Sequence, residues 1–531
     1  MIILRTLLFF STLSITWLQA PLSQSATYYI SPAGSDSNPG TSEKPWLTFA
    51  YAIDAARASC GDTLVLKDGT YGDGTRTGKV SIASLACKGG KEFTLAAENQ
   101  RRAKLSDSGN GYAILIHNSS YIIVDGLYAR STNLVGATKG HPLFISISHH
   151  ITIRNTVGKN PNKAVNTHVV SVHDSEDILL EANEGYDFHR HCVLAWNSRR
   201  VVVRQQYCHP RDGADPNIFP PGPDPIAAGK AGALLSMYPC TDCILENAIA
   251  DGPMFLIENN ATFGVNRLTG SSVLMSGSRT LGSICNQCNQ GNGIYLSSRK
   301  VADLNHTPQN ITIRDVAIVD FKSRGSAIRA SDGVNITIEH VTVTGAGGAT
   351  GITADDGVNG ATPTQQSIVI RDTTIQGLTG IGFNKNSDAY QTWSGDNLNS
   401  YNNRTNFSPS LPAYWGTTTT TNPELGTCQV WIPSSSPLSG KGTGGSDIGA
   451  TILYRYINGN LTSTPLWDPR TGEFPHGAAD PDGTNRVSGQ SLFDIHKRLN
   501  VNTRDCPFPK DYGNSDSNKI EPTSPVGLKV S

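Results

Sequence analysis

Between Tyr112 and Lys385 the apolar residues fall into one repeated phrase: a short apolar strand, a polar turn of Asn, Asp or Ser, and a second apolar strand ending in a charged residue. The stretches AILIHNSSYIIVDG, LFISISHHITIRN, VVSVHDSEDILLEA, VLAWNSRRVVVRQ, ALLSMYPCTDCILEN, AIRASDGVNITIEH and GITADDGVNGATPTQQSIVIRD are copies of it. The second strands start at Ile122, Ile151, Ile178, Val201, Cys243, Ile311, Ile336 and Ile368, most of them 23 to 32 residues apart. Weaker copies at MFLIENNATFGVNRL and GIYLSS fill part of the long interval after Cys243. A unit of this length cannot bury its own apolar face but can stack on its neighbours, which predicts a solenoid of β-coils. Alternation along HVVSVHD sends Val170 and Val172 inward and turns Ser171 and His173 outward.

The flanks extend this picture. Residues 27–105 read as an N-terminal cap and the first coils, with TFAYAIDAARA as a helix across the open apolar end, a cover that solenoids need. The repeat occupies 106–395. Beyond it, 396–531 is rich in Ser, Thr, Gly and Pro, predicted to wrap the barrel or cap its far end, with disorder concentrated in 408–448. Residues 1–26 carry one early Arg, a short apolar run and then small residues, the pattern of a secretory signal. Ser11, Thr12, Ser14 and Thr16 interrupt that run too often for a membrane anchor, and no later segment reads as transmembrane.

Composition agrees with an exported β protein. Of 531 residues 53 are Gly and only 16% are charged, and a net charge of -1 provides no global field for nucleic acid or acidic lipid. A monomer is expected. The ten cysteines suit an oxidising compartment. CTDC at Cys240 to Cys243 and CNQC at Cys285 to Cys288 have zinc-ligand spacing within each pair, yet the interval between the pairs favours disulfides. Cys60 with Cys87 and Cys428 with Cys506 suit local and terminal staples.

The arrangement resembles the right-handed parallel β-helix of secreted polysaccharide lyases, the pectate lyase-like superfamily. The resemblance implies an all-β fold of about ten coils with an N-terminal capping helix. It also implies a substrate groove lined by the first strand of each coil, with the preceding loops as its wall. On that mapping His173, Tyr238, Glu258, Tyr295, Arg329 and Asp355 face the groove to bind substrate, and Lys163, the DFHRH segment and Lys230 stand in the wall. The Asp-rich calcium site and the Lys base of some such lyases are not recognisable here, so calcium is left open as a cofactor and no metal ligand is assigned.

One fold hosts many activities, so the chemistry has to come from the residues. Tyr186 to Asp212 holds five arginines and three histidines against two aspartates. His141, His168 and His191 start the first strand in three successive coils, which predicts a ladder of imidazoles at one groove edge, with His189 and Arg190 beside it. Arg199, Arg200 and Arg204 fall in the turn and second strand and point elsewhere. Cleaving an acidic sugar by β-elimination needs a cation for the carboxylate, a base for the C5 proton and an acid for the leaving oxygen. His168, His189, His191, Arg190, Lys230 and Tyr238 supply those types, with Lys163 as a further cation. A lyase of a uronic-acid-containing glycan leads on this reading. A hydrolase or epimerase, for which Asp332 and Asp356 are equivalent carboxylates in adjacent coils, and a non-catalytic glycan-binding or surface β-helix stay open.

Overall fold

A computed structural model of the chain describes residues 25–54, 57–72, 80–107, 111–131, 141–159, 168–186, 191–209, 233–251, 279–281, 284–286, 293–296, 506–513 and, with short interruptions, 308–470. Parallel pairing dominates. Phe93–Ala97 pairs with Ser120–Asp125, which pairs with His149–Arg154, then Glu176–Glu181, then the second half of His191–Arg204. Farther along, Gln309–Val319, Val334–Thr344, Gln366–Gln376 and Tyr390–Tyr401 follow one another to Thr418–Thr419. Each strand bonds its counterpart one coil away, so the chain is a parallel β-helix and its backbone groups find partners above and below. The predicted strand starts lie directly opposite one another, Ile122 with Ile151, Ile151 with Ile178, Ile178 with Val201, and Ile311 with Ile336 and Ile368.

The core is a set of apolar columns. Ile114, Leu143, Val170 and Val193 stack in register, as do Ile116, Ile145, Val172 and Ala195, all buried. The polar turns that separate the paired strands are satisfied internally. Ser119, Ser148 and Ser175 each donate their N–H to the hydroxyl of the next serine in the column Ser119, Ser148, Ser175, Ser198, at 3.1–3.3 Å. Each hydroxyl donates in turn to the carbonyl two residues back. This is why small polar residues punctuate the repeat.

At the N-terminal end a single helical turn, Ala50–Asp54, is described, and Phe49 and Ala52 pack into the core with Trp46 and Tyr71. The C-terminal chain turns back along one flank. The backbone N–H of Thr443 donates to Asp372, that of Ala450 to Thr342, that of Thr451 to Asp315, and those of Asn458 and Gly459 to Glu246. Val430, Trp431, Ile452 and Trp467 bury an apolar stripe of Tyr207, Ile249, Ala317 and Val319 beneath this strap. The disorder expected over 408–448 is not found: Leu425, Ile432, Leu438 and Ile448 form a small buried cluster, and Asp447 fixes the local turns through Ser439 and Gly440. A few well-placed apolar residues suffice because they share a flank that already exists.

Disulfides join Cys60 to Cys87 and Cys428 to Cys506 as expected, and Cys240 to Cys243. A fourth, Cys192 to Cys208, was not anticipated. Cys288 lies outside the described residues. Among the described residues no cluster of metal-ligating side chains occurs, and no helix is long and apolar enough to cross a membrane.

Candidate functional site

Tyr112–His117, His141–Ser146, His168–His173, the first half of His191–Arg204 and Ala233–Thr241 form one parallel sheet. Its inner side is core. Leu143 and Ile145 are core residues on either side of Phe144, so Phe144 turns outward. The Tyr112 ring stacks on the Phe144 ring at 4.5 Å between centroids and the His141 ring lies 5.8 Å from it, although Tyr112 and His141 share the strand phase of the inward Ile114 and Leu143. Burial pushes the Tyr112 phenol pKa up.

The predicted imidazole ladder forms at this edge. His141 and His168 stack at 4.9 Å and His168 and His191 at 5.0 Å, with interplanar angles of 14° and 10°. The His168 N–H donates to His141 Nδ1 at 3.2 Å. The ladder is more covered than a groove-lining role implies: His141, His168 and His191 are 5%, 3% and 1% exposed. Parallel register explains the stack, because equivalent strand positions lie about 4.8 Å apart.

At the other end of the same strands runs an outward row, His117, Ser146, His173 and Trp196, in register with one another and with the backbone of Tyr238. His117 Nδ1 hydrogen-bonds Ser146 Oγ at 2.9 Å, and His173 Nε2 hydrogen-bonds Ser171 Oγ at 2.9 Å. His173 packs against Phe144 at 5.0 Å and stacks with Trp196 at 6.0 Å. Ser146 and Ser171 are buried, whereas His117, His173 and Trp196 are half-buried. The segments YAILIH, HPLFIS, HVVSVH and HCVLAW contain no carboxylate.

The arginines of the repeat belong elsewhere. Arg154 pairs with Asp125 at 2.7 Å, Arg204 with Glu181 at 2.7 Å and with Glu246 at 3.4 Å, and Arg200 with Asp177 at 2.6 Å. The hydrogen bond from Arg200 holds the Asp177 carboxyl below its ordinary value. Charges of opposite sign therefore alternate up a neighbouring face and neutralise one another. Toward the C-terminal end, Arg329 lies 5.6 Å from the Tyr295 ring and binds Asp355 through Nε at 2.9 Å, while Ser331 donates to Asp355 at 2.7 Å. Tyr295 is buried, so of the expected binding residues there Arg329 and Asp355 form a linked pair.

Lys163, His189, Arg190, Lys230 and Glu258, together with Asp332 and Asp356, lie outside the described residues, and of Tyr238 only the backbone is described. Lys163, His189, Arg190 and Lys230 stand on the segments that enter the strands beginning at His168, His191 and Ala233. Reading the sequence alone turned Ser171 and His173 outward but missed Tyr112, His117, Phe144, Ser146 and Trp196 as members of this face. The alternation that turned His173 outward, applied to the neighbouring copies, finds Phe144, His117 and Trp196. The serine contacts needed the register.

No family model matches the chain. Over 43 residues it is 49% identical to the uncharacterized protein YwoF of Bacillus subtilis (strain 168), a match spanning 8% of this chain and 9% of that protein. Similar solved structures include the alginate lyase from Paenibacillus sp. str. FPU-7, at 13% identity and a TM-score of 0.37 over 68% of this chain and 99% of that one. A mannuronic acid specific polysaccharide family 6 lyase from human gut microbiota matches at 10% identity and a TM-score of 0.44 over 75% and 92%. The catalytic unit of a thermostable GH87 alpha-1,3-glucanase from Streptomyces thermodiastaticus strain HF3-3 matches at 14% and 0.42 over 76% and 71%.

Proposed function

We propose that this parallel β-helix is a secreted polysaccharide-degrading enzyme, a lyase that cleaves a uronic-acid-containing glycan by β-elimination. The observation that carries the reading is the stacked ladder His141–His168–His191 at the edge of an outer face whose strands hold no carboxylate. The right-handed winding of about ten coils and the N-terminal helical cap belong to the same proposal.

In this scheme His189, Arg190, Lys163 and Lys230 enter the ladder edge from the adjoining segments. Arg190 holds the substrate carboxylate, whose charge grows as the C5 proton leaves, and positioned cations lower that barrier. His191, beside His168, binds the anionic sugar or takes the C5 proton. The C–H electron pair becomes a C4–C5 double bond, the C4–O bond breaks, and the bridging oxygen leaves with its pair and accepts a proton from Tyr238 or Lys230. His173, Glu258, Arg329 and Asp355 contact sugars farther along the groove, with Arg329 and Asp355 acting as one polar unit and buried Tyr295 backing Arg329.

The test is His191→Ala and His168→Ala on a glycan that the wild type cleaves, reading the ultraviolet absorbance of the unsaturated ends and the melting temperature of the same samples. Loss of a general base lowers turnover by about 10² to 10⁴, with melting little changed. Near-normal turnover with melting several degrees lower assigns the ladder to structure and removes its catalytic role. New reducing ends without unsaturation select hydrolysis instead.

A further inference from the structure

The C-terminal strap fastens to one column of the coils. Asp315, His340 and Asp372 hold equivalent positions on Gln309–Val319, Val334–Thr344 and Gln366–Gln376, between neighbours that pair in register. The strap meets all three. Asp315 accepts the N–H of Thr451 and the hydroxyl proton of Tyr456. Asp372 Oδ1 accepts the N–H and the hydroxyl of Thr443 at 2.8 and 3.2 Å. His340 Nδ1 lies 3.2 Å from the carbonyl oxygen of Asp447. A carbonyl oxygen only accepts, so Nδ1 carries a proton there. The other ring nitrogen, Nε2, lies 3.8 Å from Asp372 Oδ2. Asp372 is 0% exposed, and its Oδ2 has no hydrogen-bond partner. Both ring nitrogens therefore face groups that only accept.

A neutral imidazole has one N–H and leaves one of these acceptors unserved; the imidazolium has two and serves both. The surrounding charges favour the cation. Asp315 faces the ring from the preceding rung, Asp372 from the following one and Asp447 from the strap, where Ser439, Gly440 and Thr451 hold its carboxylate. Glu339, next to His340 in the chain, lies between Arg371 at 2.6 Å and Arg314 at 3.4 Å, and Arg314 also reaches Asp315 at 3.9 Å. Four carboxylates thus stand against two guanidinium groups. Burial pushes the Asp315 carboxyl pKa up, while Tyr456, His340 and Arg314 oppose that pull. We propose that His340 is a proton-operated latch: as an imidazolium it bridges Asp372 of the coils to Asp447 of the strap, and loss of its proton loosens the strap from Ser439 to Thr451. A proton bound in the docked state and released in the loosened one makes docking strongest on the acid side of the imidazole range. Docking then weakens as pH rises through that range. The latch is independent of the lyase reading.

The experiment reads hydrogen exchange of the Thr443 and Ala450 amides, which donate to Asp372 and Thr342, in the full chain between about pH 5.5 and 8, corrected for the intrinsic exchange rate. Wild-type protection is expected to fall about tenfold across that range, the size of a lost hydrogen bond between charged groups. His340→Gln, which donates but does not titrate, should show lower protection at the acid end and no such fall. Asp372→Asn guards against a variant that merely folds badly. Its amide donates to the neutral ring, so its protection should persist at the alkaline end. Wild-type protection that is flat with pH overturns the latch, as does the wild-type slope in His340→Gln or in Asp372→Asn. A fall confined to the Asn458 and Gly459 amides assigns the response to Glu246, which accepts them, and overturns the latch as well.

Discussion

Arg101 and Glu184 face each other at 3.0 Å with both side chains 0% exposed, and Arg101 Nε donates to the carbonyl of Asn155 at 3.3 Å. Two charges withdrawn from water recover their hydration only through each other and such added hydrogen bonds, so removing one partner strands the other. Arg101→Met should destabilise the protein by about 3–5 kcal/mol, measured by urea unfolding. Arg101→Met with Glu184→Leu should regain most of the loss. A double variant as weak as the single one would show that the stranded carboxylate is not the cause. Nothing in the sequence announces this pair, because 83 residues separate its members and only stacking of the coils joins them.

Among the turns, Asn118, Ile147, Asp174 and Asn197 occupy equivalent positions with φ of 47°, 50°, 49° and 47°. Three have the short polar side chains that tolerate this left-handed region; Ile147 is β-branched and 56% exposed. Left-handed backbone costs an ordinary L-residue about 1–2 kcal/mol, so Ile147→Asn should raise stability by about 1 kcal/mol and the melting temperature with it. An unchanged or lower melting temperature would mean that Ile147 makes a compensating contact. The same turns show how far the sequence could be read. Strand starts at Ile122, Ile151, Ile178 and Val201 were legible because core columns demand apolar residues at one phase. The imidazole ladder was legible for the same reason, as a residue type repeated at one register position. Part of its cover was legible too, because His168 shares the strand phase that buries Val170 and Val172. The alternating pairs Arg154–Asp125 and Arg204–Glu181 were not legible, because unequal coil lengths hide which charges are neighbours.

At the scale of the molecule, the strap ties distant rungs together. Glu246, buried, accepts the N–H groups of Asn458 and Gly459 at 3.0 and 2.8 Å and meets Arg204. Burial raises its carboxyl pKa above the ordinary value, against the opposing pull of those donors. A raised folded-state pKa means the folded protein binds this proton more tightly than the unfolded chain. That contribution is complete below the ordinary carboxylate pKa and is lost as pH rises through the raised one. Glu246→Gln should therefore flatten this part of the melting-temperature curve against pH; a curve parallel to wild type would remove Glu246 as its source. The strap also sets a timetable. Coils are synthesised first and the strap later, so the stripe of Tyr207, Ile249, Ala317 and Val319 faces water while Val430 to Trp467 is still being made. An apolar stripe left open during synthesis invites sister chains and calls for chaperones. The delay falls on the flank beyond Arg204, while the rungs from Tyr112 to Trp196, which carry the imidazoles, are already stacked.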